Sequence, residues 1–182
     1  MTKVFVGGSR SITKLNSEIK KRIDNVIASG FAVLVGDANG ADKALQRYLA
    51  DRKYQDVTVY CSGNSCRNNI GDWRTEHVPS NRARKDFEHF AIKDARMGQE
   101  AEYGLFLWDG KSRGTLNNVF TLTAHNKKVV LYFSPSKNFI RVRGVEDLKD
   151  VLSHCDQKIV DSVERRLSEG KTRSGQSQLD LA

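Results

Sequence analysis

Short, uninterrupted apolar runs alternate along this chain with stretches in which apolar residues recur every three or four positions. A strand that is covered on both faces carries few polar residues, so each run predicts a buried strand of a parallel sheet. The predicted strands are Lys3–Val6, Phe31–Val35, Val57–Tyr60, Leu105–Trp108 and Val129–Phe133, with Asn138–Arg143 as one further edge strand.

The stretches between the strands predict amphipathic helices, because residues three and four apart share one face of a helix. The alternation of strand and helix predicts an α/β fold: a Rossmann-like, doubly wound, mostly parallel sheet of five to six strands with helices on both faces. The predicted helices cover about 15–27, 41–49, 81–97, 116–126 and 145–152.

Two segments depart from this alternation. Residues 61–80 are rich in Gly, Asn and Ser and are too long for an ordinary connection, which indicates a lid-like functional loop or a solvated insertion. Residues 155–182 carry one weaker helical stretch and end in a polar segment rich in Gly, Ser and Gln. We therefore expect one α/β domain over 1–154, followed by a helical extension and a mobile tail over 155–182.

The composition is that of a globular protein, with 38% hydrophobic and 29% charged residues among 182. No apolar run approaches the roughly 18 residues of a membrane span, and the first residues are typical of a strand, not of a signal peptide. We expect a cytoplasmic protein with no membrane partner. Cys61, Cys66 and Cys155 are an odd number and predict reduced thiols. Their spacing predicts no metal site, and we predict no cofactor.

The net charge of +8 has two interpretations. Clustered cations bind nucleic-acid phosphates, whereas a basic protein can also hold a small nucleotide in one pocket. The cations here are scattered, with local groups at Arg82–Lys85 and Arg165–Arg166, and no helix-turn-helix or zinc-finger motif is visible. The sequence favours a small nucleotide over nucleic acid as the partner.

Three glycine-bearing turns follow predicted strands, at Gly7–Arg10, Gly36–Asp42 and Asp109–Thr115. In an open parallel sheet these turns lie at one edge, and ligands bind where the strand order reverses. If the first strand lies between the second and the fourth, the three loops meet at one crevice. The alternative interpretation is that the glycines serve only to form tight turns after the strands.

The third turn carries the groups that bind phosphate. A helix start presents unpaired backbone N–H groups, and glycine lets them approach an anion closely. Ser112 and Thr115 supply hydroxyl groups, Lys111 and Arg113 supply positive charge, and Thr115 is also placed to cap the helix. Arg10 can fork onto a phosphate or carboxylate. In the second turn, Asp37 and Asp42 either bind a ribose hydroxyl group or cap the next helix.

These turns resemble the SLOG superfamily of Rossmann-like proteins, which includes the LOG phosphoribohydrolases and the DNA-processing protein A fold. The similarity covers about residues 3–135 and is closest to the small bacterial and phage SLOG proteins. It rests on Gly8-Ser9-Arg10, on Gly36 to Asp42, on Lys93-Asp94-x-x-Met97 and on Trp108 to Thr115. The resemblance implies a pocket for a nucleotide or a nucleotide-derived ligand.

The predicted binding residues combine the three turns with the matched motif. They are Gly8, Ser9, Arg10, Gly36, Asp37, Asn39, Gly40, Asp42, Lys93, Met97, Trp108, Asp109, Gly110, Lys111, Ser112, Arg113, Gly114, Thr115 and Asn118.

Asn118 marks a departure from the LOG pattern. LOG enzymes carry a glutamate at this position, which serves cleavage of the bond between base and ribose. An amide can bind ribose but cannot act as an anionic base. If the protein is an enzyme, we expect a nucleoside 5′-monophosphate N-glycosidase, a hydrolase, in which another acid acts. The candidate acids are Asp37, Asp42, Glu100, Glu102 and Asp109, of which Asp109 and Asp37 are the predicted catalytic residues.

The resulting hypotheses come from three classes: a nucleotide-binding sensor, a nucleotide hydrolase and a DNA-associated protein. The third rests on the basic charge, the related DNA-processing protein A fold and three aromatic residues available for stacking, Tyr60, Trp73 and Phe87. The C-terminal Gln178-Leu179-Asp180-Leu181 also resembles a sliding-clamp peptide, although Ala182 replaces its aromatic anchor. A homodimer through the helices that flank the sheet is a further expectation, by analogy with related folds.

Overall fold

A seven-stranded sheet forms the centre of the protein in a computed structural model, which describes residues 1–80, 87–153, 155–161 and 165. The strands are β1 Lys3–Gly8, β2 Ala32–Gly36, β3 Val57–Ser62, β4 Arg74–Val78, β5 Tyr103–Trp108, β6 Lys128–Phe133 and β7 Asn138–Val142. The helices are α1 Ser17–Ala28, α2 Ala41–Asp51, α3 Phe87–Glu100, α4 Arg113–Ala124 and α5 Lys149–Leu152, with a 3₁₀ turn at Val145–Leu148.

The strand order is β4-β3-β2-β1-β5-β6-β7, and all neighbours are parallel except β6 and β7. This confirms the doubly wound α/β fold and the central position of the first strand, between β2 and β5. The strand order reverses between β1 and β5, because the chain winds outward from β1 through β2 to β4 and then crosses back to β5. The carboxyl ends of β1 and β5 therefore flank the switch point at which such folds bind ligands.

The sheet has one more strand than the upper end of the expected range. Residues 74–78, expected within a lid-like loop, form the edge strand β4, which pairs with β3 from Thr58 opposite Arg74 to Ser62 opposite Val78. Its sequence, RTEHV, is largely polar, and its side chains are exposed or half-buried. An edge strand has a neighbouring strand on one side only and is less completely buried than an inner strand. It therefore tolerates polar residues and lacks the apolar run that marks the inner strands.

Alternate residues of the inner strands fill two separate cores, because successive strand side chains point to opposite faces. On one face, Val4 and Val6 belong to an apolar cluster with Ile19 and Ile23 of α1 and Leu45 of α2. On the other face, α3 and α4 pack against the sheet. There the rings of Phe5 and Phe106 meet edge to face, with their centroids 4.8 Å apart. The helices thus cover both faces, as predicted.

A disulfide joins Cys61, at the end of β3, to Cys66 in the following loop. This corrects the expectation that all three cysteines are reduced thiols. The chain turns back within five residues and brings the two Cα atoms to 5.1 Å, which lies within the usual range for a disulfide. Cys155 takes no part in this disulfide.

Contacts between Cα atoms group Met1–Asp147 into one compact unit and place the described residues after Asp147 in another. The basic group at 82–85, Arg166 and the clamp-like peptide at 178–181 lie outside the described residues. Among the residues that the structure does describe, no helix is long and apolar enough to cross a membrane.

Candidate functional site

A cavity of about 540 Å³ opens at the carboxyl ends of β1 and β5, within the first unit. Its volume lies in the range of small-molecule sites. Residues from all three predicted turns line it, so the structure brings these turns together at the switch point. The predicted residues in its wall are Gly8, Arg10, Asp42, Lys93, Asp109, Lys111, Ser112, Arg113, Gly114, Thr115 and Asn118.

Asp109 organises the loop between β5 and α4. Its Oδ1 accepts hydrogen bonds from the backbone N–H groups of Lys111 at 2.9 Å and Ser112 at 2.8 Å, and from Ser9 Oγ at 3.0 Å. Its Oδ2 accepts one from Ser11 Oγ at 2.6 Å. Burial alone would raise the pKa of Asp109, but these hydrogen bonds outweigh it and hold the pKa below its usual value. The carboxylate therefore joins the first turn to the third.

Helix α4 begins in this loop and points its first turn into the cavity. Ser112 is the N-cap, and its side chain accepts the Thr115 N–H at 3.3 Å, so Ser112 and not Thr115 caps the helix. The backbone N–H groups of Arg113 and Gly114 have no acceptor within the helix, because no helical residue precedes them by four positions. Both residues line the cavity. This helix start, with the exposed Lys111 and Arg113 side chains, forms a surface suited to an anion.

Two predicted binding residues, Trp108 and Gly110, have a structural part in this loop. Trp108 is fully buried, and its indole Nε1 donates to the Ser112 carbonyl oxygen at 3.0 Å. Gly110 adopts a left-handed conformation, with φ of 79°, that glycine adopts without strain. Trp108 has no exposed surface with which to stack on a base, so its place in the site is structural.

The second turn is held by an ion pair that the sequence did not indicate. Arg67 donates from Nε and Nη2 to the two carboxylate oxygens of Asp37, at 3.0 and 2.6 Å, and its backbone N–H donates to the same carboxylate. Burial would raise the pKa of Asp37, but Arg67 lowers it below the usual value. The Arg67 guanidinium also lies 4.3 Å from the centroid of the Phe90 ring, and both residues line the cavity.

A buried charged group forms the inner wall, which we call the floor and define as Asp42, Lys93 and Asp94. Lys93 Nζ donates to Asp94 Oδ1 at 2.6 Å. Burial alone would lower the pKa of Lys93. The Asp94 and Asp42 carboxylates together have the larger effect and raise the pKa above its usual value, so the ammonium group stays charged. Burial raises the pKa of Asp42 to about 6, against the opposing effect of Lys93. Gly36 makes room for this group, because a Cβ atom there would lie 2.4 Å from Asp42 Oδ2 and 2.7 Å from Lys93 Nζ.

Asn118 links α4 to the floor. Its Nδ2 donates to Asp94 Oδ2 at 3.0 Å, and its side chain lines the cavity. The Asn118 amide is thus in direct contact with a carboxylate from another helix.

Comparison with protein-family models and with curated proteins found no match to this chain.

The remaining predicted binding residues lie around the cavity and not in its wall. Ser9 and Met97 are fully buried, and Asn39 accepts a hydrogen bond from Asn68 Nδ2 at 3.1 Å. Gly40 begins α2 and packs against the Arg10 backbone. The Asp37 and Asp109 carboxylates make their hydrogen bonds with Arg67 and with the Ser9, Ser11, Lys111 and Ser112 donors of the protein.

Several residues in the cavity wall were not predicted. Asp94 follows the predicted Lys93 directly, and its charge next to a motif lysine was an available signal. Arg67 lies in the 61–80 segment, for which a functional loop was one interpretation, and no pattern in the sequence distinguishes Phe90. The other additions are Phe5, Gly7, Ser11, Ala38, Ala91 and Asn117.

Two of the aromatic residues that suggested DNA stacking are buried. Tyr60 is 2% and Trp73 7% exposed, and the Trp73 indole N–H donates to the Tyr54 carbonyl oxygen. Neither ring is available to a base, and the side chain of Phe87 lies outside the described residues. Within the described part of the chain, no group of His, Cys, Asp and Glu side chains is arranged to hold a metal ion.

Proposed function

We propose that this protein binds a nucleotide or nucleotide-derived ligand in the cavity, with the ligand's phosphate at the start of α4. The observation that carries the proposal is the helix start itself: N–H groups without helical acceptors and two cationic side chains face a cavity at the switch point of the sheet. The resemblance of these turns to SLOG proteins supports the same assignment, and membership of that superfamily is part of the proposal.

The distribution of charge in the wall supports a ligand with an anionic end. Arg10, Lys111 and Arg113 lie at the open side and are exposed, whereas Asp42 and Asp94 lie at the floor beside Lys93. The Asp109 carboxylate in the loop accepts four hydrogen bonds from the protein, so its charge is already compensated. An anion is therefore attracted to the α4 end of the cavity.

Calorimetric titration with AMP, GMP, CMP and UMP at low salt tests this proposal. We expect wild-type protein to bind at least one of them, and a Lys111→Ala/Arg113→Ala variant to bind it about tenfold more weakly or worse, the factor for losing one charge-assisted hydrogen bond. Lys21→Ala/Arg47→Ala removes the same charge from exposed positions on α1 and α2 and should bind normally. Folded wild-type protein that binds none of the four would contradict the proposal.

A second candidate is the nucleotide N-glycosidase, which one observation favours. Asn118 cannot supply the carboxylate that LOG enzymes use, but its amide touches the Asp94 carboxylate, which lines the same cavity. Asp94 thereby brings an acid next to the position of the missing glutamate. An anionic group there stabilises the positive charge that develops on ribose during cleavage.

The second candidate is tested by incubating the protein with nucleoside monophosphates and detecting released free base by chromatography. If base is released, Asp94→Asn should abolish the release, and the exposed Asp51→Asn should leave it intact. Asp109→Asn and Asp37→Asn test the sequence-based assignment in the same assay. No free base from a protein that binds the nucleotide would leave binding as the function.

A further inference from the structure

The floor of the cavity presents a hydrogen-bond acceptor that the protein leaves open. Asp42 lies in the first turn of α2 and is 6% exposed. Its Oδ2 accepts the Ala38 N–H at 3.2 Å, whereas no described residue donates to its Oδ1. Burial makes an unpaired carboxylate oxygen costly, and Asp42 lines the cavity, so a ligand bound there can supply the donor that Oδ1 lacks among the described residues.

A hydrogen-bond donor, the Lys93 ammonium group, lies near the same carboxylate. Lys93 uses one N–H group on Asp94, and among the described residues it has no second hydrogen-bond acceptor. A Cβ atom on Gly36 would lie 2.7 Å from Lys93 Nζ and 2.4 Å from Asp42 Oδ2, so the ammonium group and the Asp42 carboxylate are neighbours. A group that both accepts and donates matches this pair, and a hydroxyl group does both.

Charge narrows the choice of ligand group. A cationic ligand group at the floor would be repelled by the Lys93 ammonium group. An anionic group would be repelled by the Asp42 and Asp94 carboxylates. Asp37 also lies nearby, but it is paired with Arg67. A neutral hydroxyl group meets neither obstacle. Of two adjacent hydroxyl groups, one can accept a hydrogen bond from Lys93 while the other donates one to Asp42.

The spacing along α4 connects the floor to the phosphate end. Gly114 lies in the first turn of α4, and Asn118, which contacts Asp94, lies four residues later. At about 1.5 Å per residue this is an axial distance of about 6 Å, on the scale of one sugar ring. A phosphate at the helix start therefore places an attached sugar towards the floor.

We propose that Asp42 and Lys93 bind the ribose hydroxyl groups of the ligand, so that the protein selects ribonucleotides over 2′-deoxyribonucleotides. This inference rests on the proposed function, because the phosphate end sets the position of the sugar. Asp42 here acts as a specificity residue, and no chemical step is required of it.

The protonation of Asp42 provides an independent readout. With a pKa of about 6, Asp42 carries a proton in about half of the molecules at pH 6. A hydroxyl group that donates to Oδ1 favours the ionised form, so binding releases protons. The groups that face Asp42 are Lys93 and Asp94 on α3 and Asp37 before α2. Of these, Lys93 stays charged, and Arg67 holds Asp37 ionised.

Calorimetry at pH 6 with matched ribo- and 2′-deoxyribonucleoside 5′-monophosphates tests the inference, in two buffers that differ in ionisation enthalpy. The phosphate group also titrates near pH 6, but both ligands share it, so their difference reports the sugar. We expect wild-type protein to bind the ribonucleotide about tenfold more tightly and to release more protons with it. Asp42→Asn should remove both differences, and Asp51→Asn, on the same helix, should retain them.

The outcomes separate the two proposals. Equal binding of the two ligands by wild-type protein, with equal proton release, would overturn the ribose inference and leave the phosphate site standing. Binding of neither ligand would overturn both. The wild-type comparison needs no variant, so it decides the question even if Asp42→Asn fails to fold, which circular dichroism would reveal.

Discussion

Asn118 Nδ2 donates to Asp94 Oδ2 at 3.0 Å and joins helix α4 to helix α3 across the inner end of the cavity. The contact connects the helix that presents the phosphate site to the helix that carries Lys93. An amide suits the Asp94 carboxyl group, because it donates a hydrogen bond without adding charge. A carboxylate at position 118 would face Asp94 with the same charge.

We therefore expect Asn118→Asp to destabilise the protein at pH 7. It replaces a hydrogen bond by repulsion between two carboxylates, and the cost should be about 1 to 2 kcal/mol. Urea denaturation should show the loss at pH 7 and a smaller one at pH 4, where one carboxyl group can take a proton. Asn117→Asp, one residue earlier in the cavity wall, is the matched control. Equal losses from both variants at pH 7 would contradict the role of the Asp94 contact.

Asp42→Asn should stabilise the protein at neutral pH. Folding raises the pKa of Asp42 from 3.8 to about 6, so the folded state binds the proton more tightly than the unfolded state. Stability then falls as the pH rises from about 4 to about 6, by on the order of 2 to 3 kcal/mol, and stays lower above that window. Asparagine cannot ionise and avoids this loss.

The measurement is the free energy of unfolding in urea at pH 7.5 and at pH 4. The gain from Asp42→Asn should be present at pH 7.5 and small at pH 4, whereas Asp51→Asn should change little at either pH. A variant less stable than wild type at pH 7.5 would show that the ionised carboxylate supports the fold. If Asp42→Asn stabilises the protein and also abolishes its preference for ribonucleotides, Asp42 serves binding at a cost in stability.

Asp109→Ala should loosen the loop between β5 and α4. The change removes the acceptor of four hydrogen bonds, from Ser9, Ser11 and the N–H groups of Lys111 and Ser112. The expected loss is about 2 kcal/mol at pH 7, together with weaker nucleotide binding. Because the folded pKa of Asp109 is lowered, its contribution is present above its usual pKa and is lost as the pH falls through the folded value.

Chemical denaturation at pH 7 and pH 3, with calorimetry at pH 7, checks this prediction. The difference between Asp109→Ala and wild type should be smaller at pH 3, which lies below the usual pKa of an aspartate, so that the unfolded chain already takes up the proton. Asp51→Ala, at an exposed helix end, serves as the control. Unchanged stability and unchanged binding in Asp109→Ala would remove Asp109 as the organiser of the loop.

The Asp37–Arg67 pair should show strong energetic coupling. Asp37 is 2% exposed, so Arg67→Met leaves a buried carboxylate without its partner, at a cost of about 3 kcal/mol. Asp37→Asn in the Arg67→Met background should recover a large part of this loss. A double-mutant cycle in urea should therefore give a coupling of about 2 kcal/mol. Additive effects would show that the two side chains act independently.

The disulfide predicts the number of reactive thiols. Without reductant, the unfolded protein should react with one equivalent of a thiol reagent, through Cys155, and after reduction with three. Three equivalents without reductant would show that Cys61 and Cys66 are not joined. Cys66 immediately precedes Arg67, so the same samples can report whether reduction changes nucleotide binding.

Much of the fold follows from the order of apolar and polar residues alone. Inner strands such as Leu105–Trp108 are buried on both faces and must be apolar throughout, so the sequence marks them clearly. Strand β4 was missed because an edge strand tolerates polar residues such as Arg74 and Glu76. The α4 helix start was recognisable because its glycines, hydroxyl groups and cations are adjacent in sequence.

The sequence by itself determined the parallel sheet and the meeting of three turns at one edge, because parallel strands place their carboxyl ends on the same side. Only the tertiary structure decided which side chains face the cavity and what each carboxylate does. It paired Asp37 with Arg67, surrounded Asp109 with donors and left Asp42 Oδ1 without a donor among the described residues. These roles depend on contacts between residues far apart in the chain, and local periodicity carries no information about such contacts.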